Sequence, residues 1–259
     1  MSSIIWTQCA GKSKLALLTG EAWRLVEDQS RVATRKLVDS DAEQQRLEEL
    51  IETAKPPIPE GPAWEHLHYL LFTPFRYPPS PHGSRFRTPL QPGVWYGSHS
   101  LETAIAEVAF WRLRFLNDVS VDIHSEVFLT AFSIHLRSRR AVDLTRPPFA
   151  AQEARISNKT SYAESQPLGA AMRADGVEFC RYRSARDAQK GVNVAVFSPA
   201  AFAQKTVSDA SRETWHCYAT KTAIEFRGQS FIQTKQLRFA RADFEVDGEL
   251  PKMDIKAIS

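Results

Sequence analysis

Cysteine is scarce in this 259-residue sequence: Cys9, Cys180 and Cys217 are an odd number with no Cys-x-x-Cys spacing. Neither a disulfide framework nor a thiolate zinc site can be built from them, so the chain reads as a protein of a reducing, cytoplasmic compartment. Long apolar runs are also missing. The short run at residues 15–18 stops at Gly20 and Glu21, and no stretch approaches the roughly 18 apolar residues of a membrane span. No membrane is expected as a partner.

Charge of one sign is not in excess either. Against 33 Lys and Arg stand 30 Asp and Glu, a net charge of +3, which gives little support to nucleic-acid binding. A small phosphate-bearing ligand needs only one or two well-placed cations, and the balance is compatible with that. The phosphate-cradling motifs Gly-x-Gly-x-x-Gly and the P-loop are absent, so NAD as a redox cofactor in a Rossmann fold is not supported. Metal ligands are sparse: His66 and His68 share a strand-like spacing, but no third ligand is positioned, so no metal is expected. His216 and Cys217 are adjacent and would point to opposite faces of a strand, which disfavours a Cys–His nucleophile. Arg137, Arg139 and Arg140, the densest basic cluster, read as a solvated strand end.

What is present is a helix-prone segment followed by a mixed one. Residues 1–60 read as an N-terminal helical extension ending in the extended linker Lys55-Pro56-Pro57-Ile58-Pro59, with 61–259 as the main domain. Within the extension, Ser40 and Glu43 have capping-box spacing, and Leu47, Leu50, Ile51 and Ala54 recur at helical intervals, so that helix should pack one face. Beyond Trp64, aromatic and β-branched runs predict strands at 70–76, 93–96, 126–136, 141–144, 177–183, 192–197, 215–226 and 231–240, the last after a turn at Arg227-Gly228-Gln229. A strong helix is predicted from the N-cap Ser100 to about Asn117. Its broad apolar face of Leu101, Ala104, Ile105, Val108, Trp111 and Phe115 should be buried on sheet. A second helix is predicted over 165–174, ending at Gly176, and the class is α+β.

The informative block is residues 75–115, FRYPPSPHGSRFRTPLQPGVWYGSHSLETAIAEVAFWRLRF, which reads as loop, strand and capped helix. Arg85 lies in a Gly/Pro-rich loop, Tyr96 ends a strand beside Gly97, and Glu107 sits two turns into a helix otherwise lined with Ala, Val, Phe and Trp. A carboxylate beside Ala104, Val108 and Trp111 is costly to bury without a partner or a task.

These residues resemble the RES-domain family, named for an arginine, a glutamate and a serine. Gly83-Ser84-Arg85-Phe86, Val94-Trp95-Tyr96-Gly97 and Ser100 through Glu107-Val108 fill the family's places, and Val194-Ala195-Val196-Phe197-Ser198-Pro199 fits its downstream serine. The resemblance covers roughly residues 66–205. It implies an ADP-ribosyltransferase-like split β-sheet core with NAD in the cleft between its halves. It also implies a role as the toxin of a bacterial toxin–antitoxin pair that consumes NAD as a substrate, with no cofactor, and has a cognate antitoxin as partner.

Loss of nicotinamide leaves an oxocarbenium-like ribosyl cation, so the chemistry needs a negative charge near the anomeric carbon and cations on the pyrophosphate. On the matched positions, Glu107 would supply that charge and Tyr96 would stack on nicotinamide. Ser198 would orient Glu107 or the ribose. The phosphate falls to Arg85 or, two residues on, to Arg87, with Gly97 and His99 beside the substrate; His82 also flanks the expected cleft. The acceptor of ADP-ribose stays open among water, phosphate and a protein. A binding module that only holds a nucleotide or protein in the same cleft is the other reading.

Overall fold

In a computed structural model the described residues are 4–28, 39–77, 83–121, 123–228 and 235–252. Strand β3 (Ser125–Asp143) is the spine. Its alternation sends Leu129 and Ala131 to one hydrophobic cluster and Phe132, Ile134 and Leu136 to another on the opposite face. Along one edge runs β1 (Ala16–Glu27), antiparallel, from Ala16 opposite Ala141 to Glu27 opposite Leu129. The other edge is shared. Its N-terminal half pairs antiparallel with β6 (Arg212–Ala219), and its C-terminal residues Ala141 to Asp143 pair parallel with β4 (Phe179–Arg183).

From that shared edge the sheet divides. One branch continues from β6 to β7 (Ala223–Gly228) and β8 (Gln236–Ala240). The other goes from β4 to β5 (Val192–Val196) and β2 (Trp95–Ser98), and β2 then meets β1 through a single pair, Trp23 opposite Ser98. This one-pair seam between β1 and β2 is where the candidate site lies. Helix α4 (Leu101–Asp118) follows β2 directly because the Ser100 side chain caps it, its Oγ accepting from the Thr103 amide at 3.2 Å. Its buried stripe of Ile105, Ala109, Phe110 and Leu113 packs with Leu129, Ala131, Trp215 and Phe226. Helix α6 (Ser165–Ala174) lies over the other branch, with Leu168 and Met172 packed around Phe86, Cys180 and Ala195.

The mixed eight-stranded sheet with helices agrees with the α+β reading. Several elements correct the sequence. The helical reading of residues 1–60 fails at β1: Ala, Leu and Glu there are good helix formers, but pairing along β3 overrides propensity. In that segment α1 (Ile4–Gln8) and α2 (Asp41–Ala54) are helical. Ser40 does cap α2, but α2 buries no residue and leaves Leu50 and Ile51 exposed, so the expected packed face is not formed.

Residues 70–76, predicted as a strand, lie in helix α3 (Tyr69–Arg76). Its first turn is capped by the His68 side chain, which accepts from the Leu70 amide. Pro74 has no amide for the Leu70 carbonyl four residues back, and the Trp95 indole donates to that carbonyl at 3.3 Å. The predicted strands at 126–136 and 141–144 are one, β3, whereas 215–226 is two. The chain reverses at Thr220, whose Oγ1 accepts from the Thr222 and Ala223 amides, a turn that carries no glycine or proline to betray it. Gly228 closes β7, while Gln229 and residues 231–234 of the predicted turn and last strand lie outside the described residues, as does His82.

Helix α4 also departs from expectation on one flank. Trp111 and Phe115 are 43% and 66% exposed. The buried stripe is narrower than the apolar one, and the flank carrying Ala104, Val108 and Trp111 turns to the pocket.

Candidate active site

A pocket of about 340 Å³ opens at the seam of β1, β2 and α4, the scale of a small-molecule site. Trp23 and Val108 on one side belong with the α4 cluster, and Tyr96 on the other packs against the α6 cluster, so the pocket forms where two cores part.

Glu107 projects from α4 into this gap. Its Oε1 accepts from the Ser184 hydroxyl and from the Asn193 amide nitrogen, both at 2.6 Å. Neither donor is free to turn away. Ser184 Oγ accepts from the amides of Arg186 and Asp187, at 3.1 and 3.0 Å, which leaves its single proton for Glu107. Asn193 Oδ1 accepts from the Ser98 hydroxyl at 2.7 Å, which fixes the amide and turns its nitrogen to the carboxylate. Strand pairing makes this possible: Ser98 on β2 stands opposite Asn193 on β5, and Ser184 directly follows β4.

Tyr96, on β2, is held at its hydroxyl by Ser84 Oγ at 2.9 Å and by the Phe86 amide, which donates at 3.1 Å. Burial pushes its pKa up to about 12, so it is a neutral phenol. Burial raises Tyr162 and, much further, Tyr182 as well. The three phenols of the pocket wall are therefore uncharged.

The loop that carries Arg85 is pinned from α6: Gln166 Nε2 donates to the Ser84 and Arg87 carbonyls, both at 3.2 Å, and the Gly169 backbone approaches Phe86 too closely for a side chain. Arg85 lines the pocket but is 7% exposed. Its Nη1 donates to the carbonyls of Ile156 and Asn158, each at 3.0 Å, and its guanidinium lies 5.0 and 6.0 Å from the ring centres of Tyr162 and Tyr182. Its geometry is that of a strut between the loop and residues 156–158.

Arg186 lines the pocket with Glu107 and interacts with its charge. Burial pulls its pKa down to about 10, and the Glu107 charge opposes that shift, so it stays protonated at neutral pH. It stacks over Phe110 with 3.5 Å to the ring centre and donates to the Lys159 carbonyl at 2.8 Å.

Arg85, Tyr96, Gly97 and Glu107 thus meet at one pocket. Gly97 is required small, since a Cβ there would stand 2.8 Å from the Trp23 carbonyl and 2.6 Å from the Trp95 ring. Arg87, His99 and Ser198 are not in the lining. Arg87 Nη1 reaches the Gln91 carbonyl at 3.5 Å, and His99 Nδ1 bonds the Glu21 carbonyl at 2.6 Å. Ser198 is the clearest correction. Its Oγ accepts from the Ala200 amide and caps a short 3-10 helix, Pro199–Ala201, beyond the far end of β5 from Asn193. At about 3.3 Å per residue the five intervening steps are too long for it to touch Glu107.

The residues that sequence reasoning missed are Ser184, Asn193, Arg186, Tyr162, Tyr182 and Arg24. For Ser184 a signal existed: Tyr182-Arg183-Ser184 also places a serine directly after a strand. Among the described residues no group of three or more His, Cys, Asp and Glu could hold a metal, and no helix is long and apolar enough to cross a membrane.

A search of curated proteins finds no match. A family model, the RES domain, matches residues 62–217.

Proposed function

The chain belongs to the RES-domain family, and from that premise we propose that it breaks the nicotinamide–ribose bond of NAD and passes ADP-ribose to water, phosphate or a protein nucleophile. The observation that carries the reading is the Glu107 carboxylate, fixed by Ser184 and Asn193 at the wall of an aromatic pocket. In NAD the nicotinamide is a cationic pyridinium and leaves as a neutral base, taking the electron pair of the C–N bond. The positive charge passes to the ribose, where a carboxylate already in place lowers the barrier without reorganising. The acceptor then adds to the anomeric carbon, and water, if it is the acceptor, gives up one proton.

The uncharged rings of Tyr96 and Tyr182 suit a planar heterocycle, and Trp111, half exposed at the rim, offers a further face. Arg186 balances Glu107 so that the pocket can hold a carboxylate before substrate arrives. Arg85 builds the wall and, in this reading, acts on the substrate through the residues it positions. An enzyme that drains NAD needs a restraint, and the family resemblance supplies the expectation of a cognate antitoxin; exposed Leu50 and Ile51 on α2 are the first surface to test for it.

Incubation of the purified chain with NAD tests the reading. Release of free nicotinamide is expected. Its absence with water, added phosphate and cell extract as acceptors would leave the pocket a binding site without chemistry.

A further inference from the structure

Strand β1 lies outside the segment that matches the RES domain, yet it supplies a cation to the pocket. Arg24 lines the pocket from β1, one residue past the Trp23–Ser98 pair where β1 and β2 part. Its Nη1 donates to the Tyr96 carbonyl at 3.1 Å, and its guanidinium lies 5.3 Å from the Trp95 ring centre. Among the described residues it has no other hydrogen bond and no carboxylate within ion-pair distance. A carbonyl needs only a neutral donor, and the part-buried Arg24 leaves its other N–H groups to water or to a ligand. A guanidinium with one of five N–H donors engaged, set in a pocket wall, has donors to offer an anion that enters the pocket.

The other arginines fit this task less well. Arg85 spends its Nη1 on two carbonyls and is closed in by two tyrosines. Arg186 is drawn to Glu107 and stacked on Phe110. Arg87 is not in the lining. We propose that Arg24 is the residue that receives the pyrophosphate of a dinucleotide bound at the seam. The assignment deepens the NAD reading and rests on it for the identity of the ligand. It makes β1 part of the site: the matched RES segment alone lacks this cation. Burial lowers the Arg24 pKa only to about 10, so the side chain is charged when the ligand arrives.

The test is calorimetric binding of ADP and of adenosine to the full chain and to Arg24→Ala, Arg24→Met and Arg24→Lys, each checked for folding by near-UV circular dichroism. Wild type should bind ADP more tightly than adenosine. Arg24→Ala and Arg24→Met should weaken ADP roughly 10- to 100-fold, the range for a hydrogen bond to a charged group, with adenosine unchanged. Arg24→Lys should recover part of the loss. The Met variant keeps an unbranched apolar side chain at this position without the charge, so a cavity alone cannot account for the effect. Equal loss for ADP and adenosine, ADP binding like wild type in a folded Met variant, no wild-type preference for ADP, or failure of all three variants to fold would each overturn the proposal. Nicotinamide release is measured separately. If wild type releases none while ADP binding still depends on Arg24, the enzyme reading fails and the phosphate subsite stands.

Discussion

Ser184 and Glu107 are 77 residues apart in sequence and meet in the pocket wall, Ser184 Oγ donating to Glu107 Oε1 at 2.6 Å. Asn193 donates to the same oxygen. The two donors hold the carboxylate rotamer, and their removal should be felt in the reaction rather than in the fold.

Ser184→Ala and Asn193→Ala are each expected to lower kcat for nicotinamide release roughly 10- to 100-fold, as loss of one hydrogen bond to a charged group does. KM should change little. Ser198→Ala should leave kcat within about twofold, because its hydroxyl serves only a local cap of modest worth. Steady-state kinetics on the three variants decides; an equal loss in Ser198→Ala would contradict the assignment.

Arg85→Ala should act first on stability. It strips two carbonyls of their donor and empties the space between Tyr162 and Tyr182. A cost of about 2–3 kcal/mol is expected for such a buried charged donor. For a chain of this size that is roughly a 5–10 °C fall in thermal midpoint. An unchanged midpoint with weakened NAD binding would instead make Arg85 a direct phosphate ligand.

Gly97→Ala is expected to wedge the seam. The added carbon meets the Trp23 carbonyl and the Trp95 ring, both in β strands that cannot yield freely. Overpacking of this kind costs about 1–3 kcal/mol, and β1 should shift from β2 and take the pocket with it. Loss of both stability and NAD binding, by thermal scan and calorimetry, is the expected pair.

Acid should weaken the fold through His99. Its Nδ1 bonds the Glu21 carbonyl as donor, so Nε2 is the nitrogen that would take a proton, and Nε2 is buried with no partner among the described residues. Burial and the nearby Arg181 lower its pKa, while the Glu21 bond and Asp143 oppose the shift. The unfolded chain then binds more protons below the ordinary histidine value near 6.5, so this contribution to stability is full above that pH and lost as pH falls. His68, lowered by burial and by Arg212, adds the same sign. The thermal midpoint should drop between pH 7.5 and 5.5, and drop less in His99→Asn; an identical drop would remove His99 from the account.

The legible part of the site was the part that local rules encode. Ser100 marks the start of α4 by its cap, the strand before it fixes Tyr96, and a lone carboxylate among Ala, Val and Trp marks Glu107. Which strand-following serine serves Glu107, and that Asn193 joins it, was not legible, because strand order decides it. Ser184 follows β4 and Ser198 lies beyond β5, and only the pairing β2–β5–β4 says which strand end faces α4. Arg24 was hidden for a similar reason: its segment has helix-forming composition, and pairing with β3 made it a strand at the pocket wall. The misread helix α3 turned on a tertiary contact as well, the Trp95 indole serving the carbonyl that Pro74 leaves open.

The central claim is that Glu107 provides transition-state charge, and the rate of nicotinamide release from NAD by Glu107→Gln measures it most directly. The amide keeps the size of the carboxylate but not its charge, so the variant should fold and bind NAD near wild-type affinity. Its kcat should fall ~10²–10³-fold, as removal of one preorganised electrostatic contact does. A folded Glu107→Gln that releases nicotinamide at the wild-type rate would contradict the account.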